Sequence, residues 1–123
     1  MTWILIALGG AGGAVTRFAL DSWISSRFSS EFPLGTLVIN VSGSFVLGLL
    51  FALTMERAIL PAEIRPPVMI GFIGAYTTFS TWMLESWRLV EDGAWAAAAL
   101  NLGGSVVLGL AAVILGMAVG RLV

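Results

Sequence analysis

One apolar stretch, Gly71 to Glu85, reads Gly-Phe-Ile-Gly-Ala-Tyr-Thr-Thr-Phe-Ser-Thr-Trp-Met-Leu-Glu and sets two glycines just ahead of Thr77, Thr78, Ser80 and Thr81. In hydrocarbon an unsatisfied polar group is costly, so such a run lines a cavity, holds an ion or meets another helix. Gly71 and Gly74 weaken the helix where hydroxyls can take up freed backbone groups, which predicts a local unwinding near mid-membrane. Unwound carbonyls suit a small cation, whereas half-helix N-termini and hydroxyls favour an anion. Thr77, Thr81 and Glu85 fall on one face of the continuing helix and Phe79 on another. A ring edge carries partial positive charge, so Phe79 can meet an anion edge-on, although a membrane Phe is more commonly core or lipid-facing.

A second polar set lies upstream. Thr36, Asn40 and Ser44 recur every four residues and therefore share a helix face. The Asn40 carboxamide offers two donors and two lone pairs, enough to join a neighbouring helix or to replace part of an ion's water shell. Asn101, Ser105 and Gly109 repeat the spacing downstream, followed by Gly116 and Gly120. That stripe signals close helix packing first, with Ser105 the member placed to touch a permeating species. Arg17 and Glu85 sit near the ends of their apolar runs, either as snorkelling interfacial residues, with Glu85 paired to Arg88, or as vestibule charges.

These residues need spans to carry them. The chain has 123 residues, 59% hydrophobic and 11% charged, with a mean hydropathy of +1.00. That composition predicts an all-α integral membrane protein, a single domain over 1–123 with four transmembrane helices at about 2–20, 34–55, 68–90 and 94–122. The third is expected to break mid-membrane. Pro33 suits the first position of the second helix, and Pro61, Pro66 and Pro67 mark the connector before the third. Tryptophans fall mostly at span ends, as an aromatic belt would have them, and Trp82 is the exception. Trp3 to Leu8 lacks the positive flank and small-residue cleavage site of a secretory leader.

Several functions are excluded by what is missing. Without cysteine or histidine there is no disulfide, no thiolate or imidazole metal site and no Ser/His or Cys/His nucleophile, so an enzyme is not expected. A net charge of -1 with no basic run gives no case for nucleic acid. The partners expected are lipid, a second copy of the chain and something small.

The arginines divide evenly. In a four-span topology Arg57, Arg65 and Arg121 lie on one side and Arg17, Arg27 and Arg88 on the other, three against three, so the positive-inside rule sets no direction. Either the tie is chance, or the chain inserts both ways and pairs with its inverted copy.

Taken together, Gly9-Gly10-Ala11-Gly12-Gly13-Ala14 with Arg17-Phe18, Gly35-Thr36-Leu37-Val38-Ile39-Asn40-Val41-Ser42-Gly43-Ser44-Phe45, and Gly71-Phe72-Ile73-Gly74 through Thr77-Thr78-Phe79-Ser80-Thr81 resemble the motifs of the small bacterial fluoride channels called Fluc or CrcB. The resemblance covers nearly the whole chain. It implies a fluoride-selective passive ion channel that exports fluoride across the bacterial cytoplasmic (inner) membrane, built as an antiparallel, dual-topology homodimer with two pores and a central structural sodium ion (Na+). By matching motif, the carbonyls of Gly74 and Thr77 would ligate the sodium. Asn40, Phe79, Thr36, Ser105, Ser80 and Trp82 would line the fluoride path, with Arg17 and Glu85 towards the vestibules. Two positions depart from the family pattern: Trp82 stands where a second Phe is usual, and Asn101 where a Tyr often begins the fourth-span polar track.

The rival reading is a small dual-topology, proton-coupled multidrug exporter, which requires a carboxylate deep in the membrane. Residues 1–20 hold no acid, and Glu85 is the only carboxylate expected within a span.

Overall fold

The computed structural model describes all 123 residues and is helical throughout, without a β-strand. Helix α1 runs Thr2–Arg27 and α2 Leu34–Phe51, the latter continuing as a π-helical turn over Ala52–Glu56. After a 3-10 turn at Ala62–Ile64 the third span begins as π-helix, Arg65–Ile73, with prolines in its first turn, and ends in one α-helical turn, Gly74–Tyr76; together these form α3. Helix α4 covers Phe79–Glu91 and α5 Trp95–Leu122, joined by a tight turn in which Gly93 takes a positive φ of 76°.

Three helices, Thr2–Arg27, Leu34–Glu56 and Trp95–Leu122, are unbroken and apolar enough to cross a bilayer. The third span is not among them because Thr77 and Thr78 are extended, with φ/ψ of -79°/157° and -148°/113°. The break expected after Gly74 therefore falls at the two threonines. Helix α1 continues past Leu20, through Asp21, Ser22, Ser25 and Ser26 to Arg27, so the stretch left between the spans expected at 2–20 and 34–55 is helical for about half its length. A helix leaving the bilayer needs no apolar residues to continue in water, only tolerable propensity.

Small residues hold the helices together. A Cβ on Gly13 would overlap the Phe72 carbonyl of α3, and one on Gly116 of α5 would overlap the Phe45 carbonyl of α2, so at both seams backbone meets backbone. Lipid offers apolar side chains no reason to leave it, and close backbone approach supplies the dispersion contact that associates helices there. At one end of the bundle a two-pronged ion pair, Arg121 Nε and Nη2 to the Glu56 carboxylate at 2.7 and 2.8 Å, ties α5 to α2.

Only 20 of 123 residues are buried, while Leu8, Val15 and Phe18 on α1 and Val107, Leu110 and Ile114 on α5 are among many exposed apolar side chains. Such a chain has little interior of its own and must be covered by lipid or by another copy.

Candidate functional site

The break is made by Asn40. Its Nδ2 donates to the Thr78 carbonyl at 3.0 Å, and its Oδ1 accepts from the Thr78 N–H at 2.8 Å, so one carboxamide holds both backbone groups of an extended residue. This satisfies in the membrane what a continuous helix would otherwise satisfy. One donor of the Asn40 amide is left over. Thr78 then caps α4: its hydroxyl accepts from Thr81 N–H at 3.3 Å and donates to the Thr81 hydroxyl at 2.9 Å. Asn40 gets close because Gly43, one turn on, has no side chain; a Cβ there would overlap Thr77 Cγ2. Ser42 shares a hydrogen bond with the Tyr76 hydroxyl at 2.8 Å, a second tie between α2 and the end of α3.

Beside the break lies a groove of about 390 Å³ lined by Asn40, Gly43, Ser44, Leu47, Ile73, Thr77, Thr78, Phe79, Trp82, Ser105, Val106, Gly109 and Leu110. It contains no charged residue. The groove is open on one flank, where Phe79 is 69% exposed. Phe79 and Trp82 meet edge to face, ring centres 5.6 Å apart and planes at 79°. The Ser105 hydroxyl is buried with no hydrogen-bond partner, an unusual state for such a group and one that an incoming ligand would relieve.

Of the residues singled out in the sequence, Asn40, Phe79, Trp82, Ser105 and Thr77 come together in this groove. Ser44, Thr78 and Gly109 line it too, whereas Thr36, Ser80, Arg17, Glu85 and Gly74 do not. Thr36 is buried one turn before Asn40, donating to Glu85 Oε1 at 2.9 Å. Ser80 is exposed. Arg17, read near the end of its span, lies well inside α1 because that helix continues to Arg27, and its Nη1 reaches the Thr77 carbonyl at 3.5 Å. Glu85 pairs with Thr36 rather than with Arg88, and both charged residues line a second hollow, of about 460 Å³, with Asp21, Glu31 and Asp92 among its walls.

The carbonyls of Gly74 and Thr77 are the groups a cation would use, and both have lost their helical donors. Thr78 N–H, four residues after Gly74, is engaged by Asn40, and Thr81 N–H, four after Thr77, is engaged by the Thr78 hydroxyl. Neutral carbonyl oxygens that have lost their helical donors are the kind that hold a hard monovalent cation, but the Thr77 carbonyl already accepts from the Arg17 guanidinium at 3.5 Å, so a sodium ion there would have to displace or share that contact.

Sequence reasoning missed the arrangement around Asn101. This side chain is 1% exposed and donates from Nδ2 to Ser86 Oγ at 2.9 Å; Ser86 donates to the Trp82 carbonyl at 2.7 Å, and Trp82 Nε1 donates to the Asn101 carbonyl at 3.0 Å. The departures from the family pattern at 82 and 101 are thus in direct contact. Their co-occurrence was the available signal.

A family model described as CrcB-like protein, Camphor Resistance (CrcB), matches residues 4–117. The chain belongs to the CrcB family. Across 118 residues it is 46% identical to the "Fluoride-specific ion channel FluC" of Magnetococcus marinus, covering 96% of each chain. The protein of the same name from Maridesulfovibrio salexigens is 43% identical, over 98% of this chain and 96% of its own. "Fluoride-specific ion channel FluC 2" of Symbiobacterium thermophilum is 47% identical over 90% of both. With its apolar helices, this CrcB-family chain is a multi-pass membrane protein.

Proposed function

We propose that the chain is a fluoride-selective passive ion channel of the bacterial cytoplasmic membrane, working as an inverted homodimer with two pores. The observation that carries this is the uncharged, donor-bearing groove at the Asn40 clamp, in a chain similar to proteins named for fluoride conduction. Fluoride is small, hard and strongly hydrated, so a pathway must offer close donors in place of water yet not bind the ion too tightly. The free Asn40 N–H, the Ser105 hydroxyl and the edges of Phe79 and Trp82 are such donors. A fixed cation in the groove would trap the ion, and none lines it.

The homodimer is supported by the open flank of the groove, which a second copy would close. Dual topology is supported by the arginines: with Arg17 inside α1, Arg57, Arg65 and Arg121 face Arg27 and Arg88, three against two, a weak bias at most. The Gly74 and Thr77 carbonyls of both copies would hold the sodium ion, which would tie the two subunits together at their contact. The exporter reading loses ground because Glu85, the acid it needs, lies outside the groove, in the charged hollow.

The test is ion efflux from liposomes holding the purified protein, with valinomycin relieving the potential and fluoride and chloride electrodes side by side. Fast fluoride loss with little chloride loss is expected; well-folded protein that releases no fluoride overturns the proposal. Two lysines appended at the C-terminus should force one orientation and abolish flux. A one-way population that still conducts would sink the inverted dimer.

A further inference from the structure

Trp82 brings a hydrogen-bond donor to the groove wall, and the fold turns that donor away. An indole N–H is a strong, fixed donor, and added to the free Asn40 N–H and the Ser105 hydroxyl it would hold a desolvated anion more tightly than weak, multi-site passage allows. Here Nε1 is engaged by the Asn101 carbonyl, so the indole faces the groove without a free N–H. Asn101 does not line the groove. Its side chain instead bridges from α5 to Ser86 of α4, and Ser86 returns to the backbone of Trp82, closing a ring of three hydrogen bonds around one buried contact.

We infer that Asn101 is a positioning residue for permeation: by strutting α5 against Ser86, it fixes the carbonyl that captures the Trp82 indole N–H and keeps that donor out of the ion path. The inference rests on the groove being the conduction pathway. The three hydrogen bonds span 2.7–3.0 Å, and the ring is enclosed, since Asn101 is 1% and Ser86 4% exposed. Without the strut, the first turns of α5 lose a specific tie to α4 and shift against it, carrying the Asn101 carbonyl away from Trp82, and the indole is released to donate into the groove. A phenylalanine at 82 would have no such donor to restrain, so Asn101 matters only because Trp82 is present.

The experiment is a double-mutant cycle on liposomal fluoride efflux with the full-length protein: wild type, N101A, W82F and the double variant. N101A is expected to slow efflux about tenfold when residue 82 is Trp and at most about twofold when it is Phe, the non-additivity of residues that act through one another. Selective ¹⁵N-indole labelling gives a readout that a merely structural role would not move. In N101A the Trp82 N–H resonance should shift upfield and exchange faster, while those of Trp3, Trp23, Trp87 and Trp95 stay in place. Should N101A fail to fold, S86A removes the same strut from the other side and should act the same way. Equal N101A effects in both backgrounds, or slowed efflux with an unmoved Trp82 resonance, overturn the inference while leaving the channel reading intact. Absence of fluoride efflux from the wild type overturns both.

Discussion

Two hollows flank the second half of the third span, and they are built from opposite chemistry. The groove at the break has an amide, hydroxyls, aromatic edges and no charge. The other hollow, walled by Asp21, Glu31, Glu85, Arg88 and Asp92, is rich in ionisable groups and includes the Phe28 to Pro33 connector. Both are reached from α2, which faces the first with Asn40 and Ser44 and touches the wall of the second with Thr36 through Glu85. The difference teaches where each kind of polarity can be sustained. Charge collects where water can reach it, and the membrane-depth hollow uses neutral donors, of which one Asn40 N–H and the Ser105 hydroxyl stay unengaged.

The largest effect should come from making the groove resemble its neighbour. Asn40→Asp places an acid against an anion path and removes the donor to the Thr78 carbonyl. Fluoride efflux should fall by about a hundredfold or more, with the gel-filtration profile unchanged. Undiminished efflux from the folded variant would remove Asn40 from the pathway. Next comes Gly43→Val, which fills the space beside the clamp and collides with Thr77. Overpacking of this kind costs about 1–3 kcal/mol, read as a lower melting temperature in detergent, together with lost efflux. A variant as stable as wild type would show that the break does not depend on that approach.

Weaker effects are expected on the charged side. Thr36→Val leaves the Glu85 carboxylate without its hydroxyl donor, and Thr36 does not line the groove, so efflux should change by about two- to fivefold. A loss as large as that of Asn40→Asp would mean that the two hollows form one continuous route. Arg121→Gln breaks the exposed pair with Glu56 at the bundle's end, remote from both hollows, and neither efflux nor melting temperature should move measurably. A clear effect there would point to coupling between that end and the break.

How much of this was legible in the residues differs between the hollows. The break could be read from Gly71, Gly74 and the threonine pair, since few arrangements place two glycines and consecutive hydroxyls inside a span. The Thr36, Asn40 and Ser44 face could be read from spacing alone. What spacing does not encode is which backbone a side chain will meet: nothing near Asn40 in sequence says that it closes on Thr78, 38 residues on. Thr36 and Ser80 share motifs with Asn40 and Phe79, which makes them pathway residues by resemblance; in the structure neither lines the groove. The reach of α1 to Arg27 was hidden for another reason. Polarity marks where a span leaves the bilayer, and a helix need not end there.

The Asn40 clamp has a consequence for biogenesis. The residue that closes the break is made before the segment it closes, so when Gly71 to Thr81 emerges from the ribosome its partner has already left it. Synthesised in the reverse order, the third segment would have to wait in lipid with an open backbone, or insert as a straight helix and be bent afterwards. Chain order makes the costly intermediate unnecessary, and a circular permutant that moves α2 behind the third span should insert poorly even though its finished contacts would be the same.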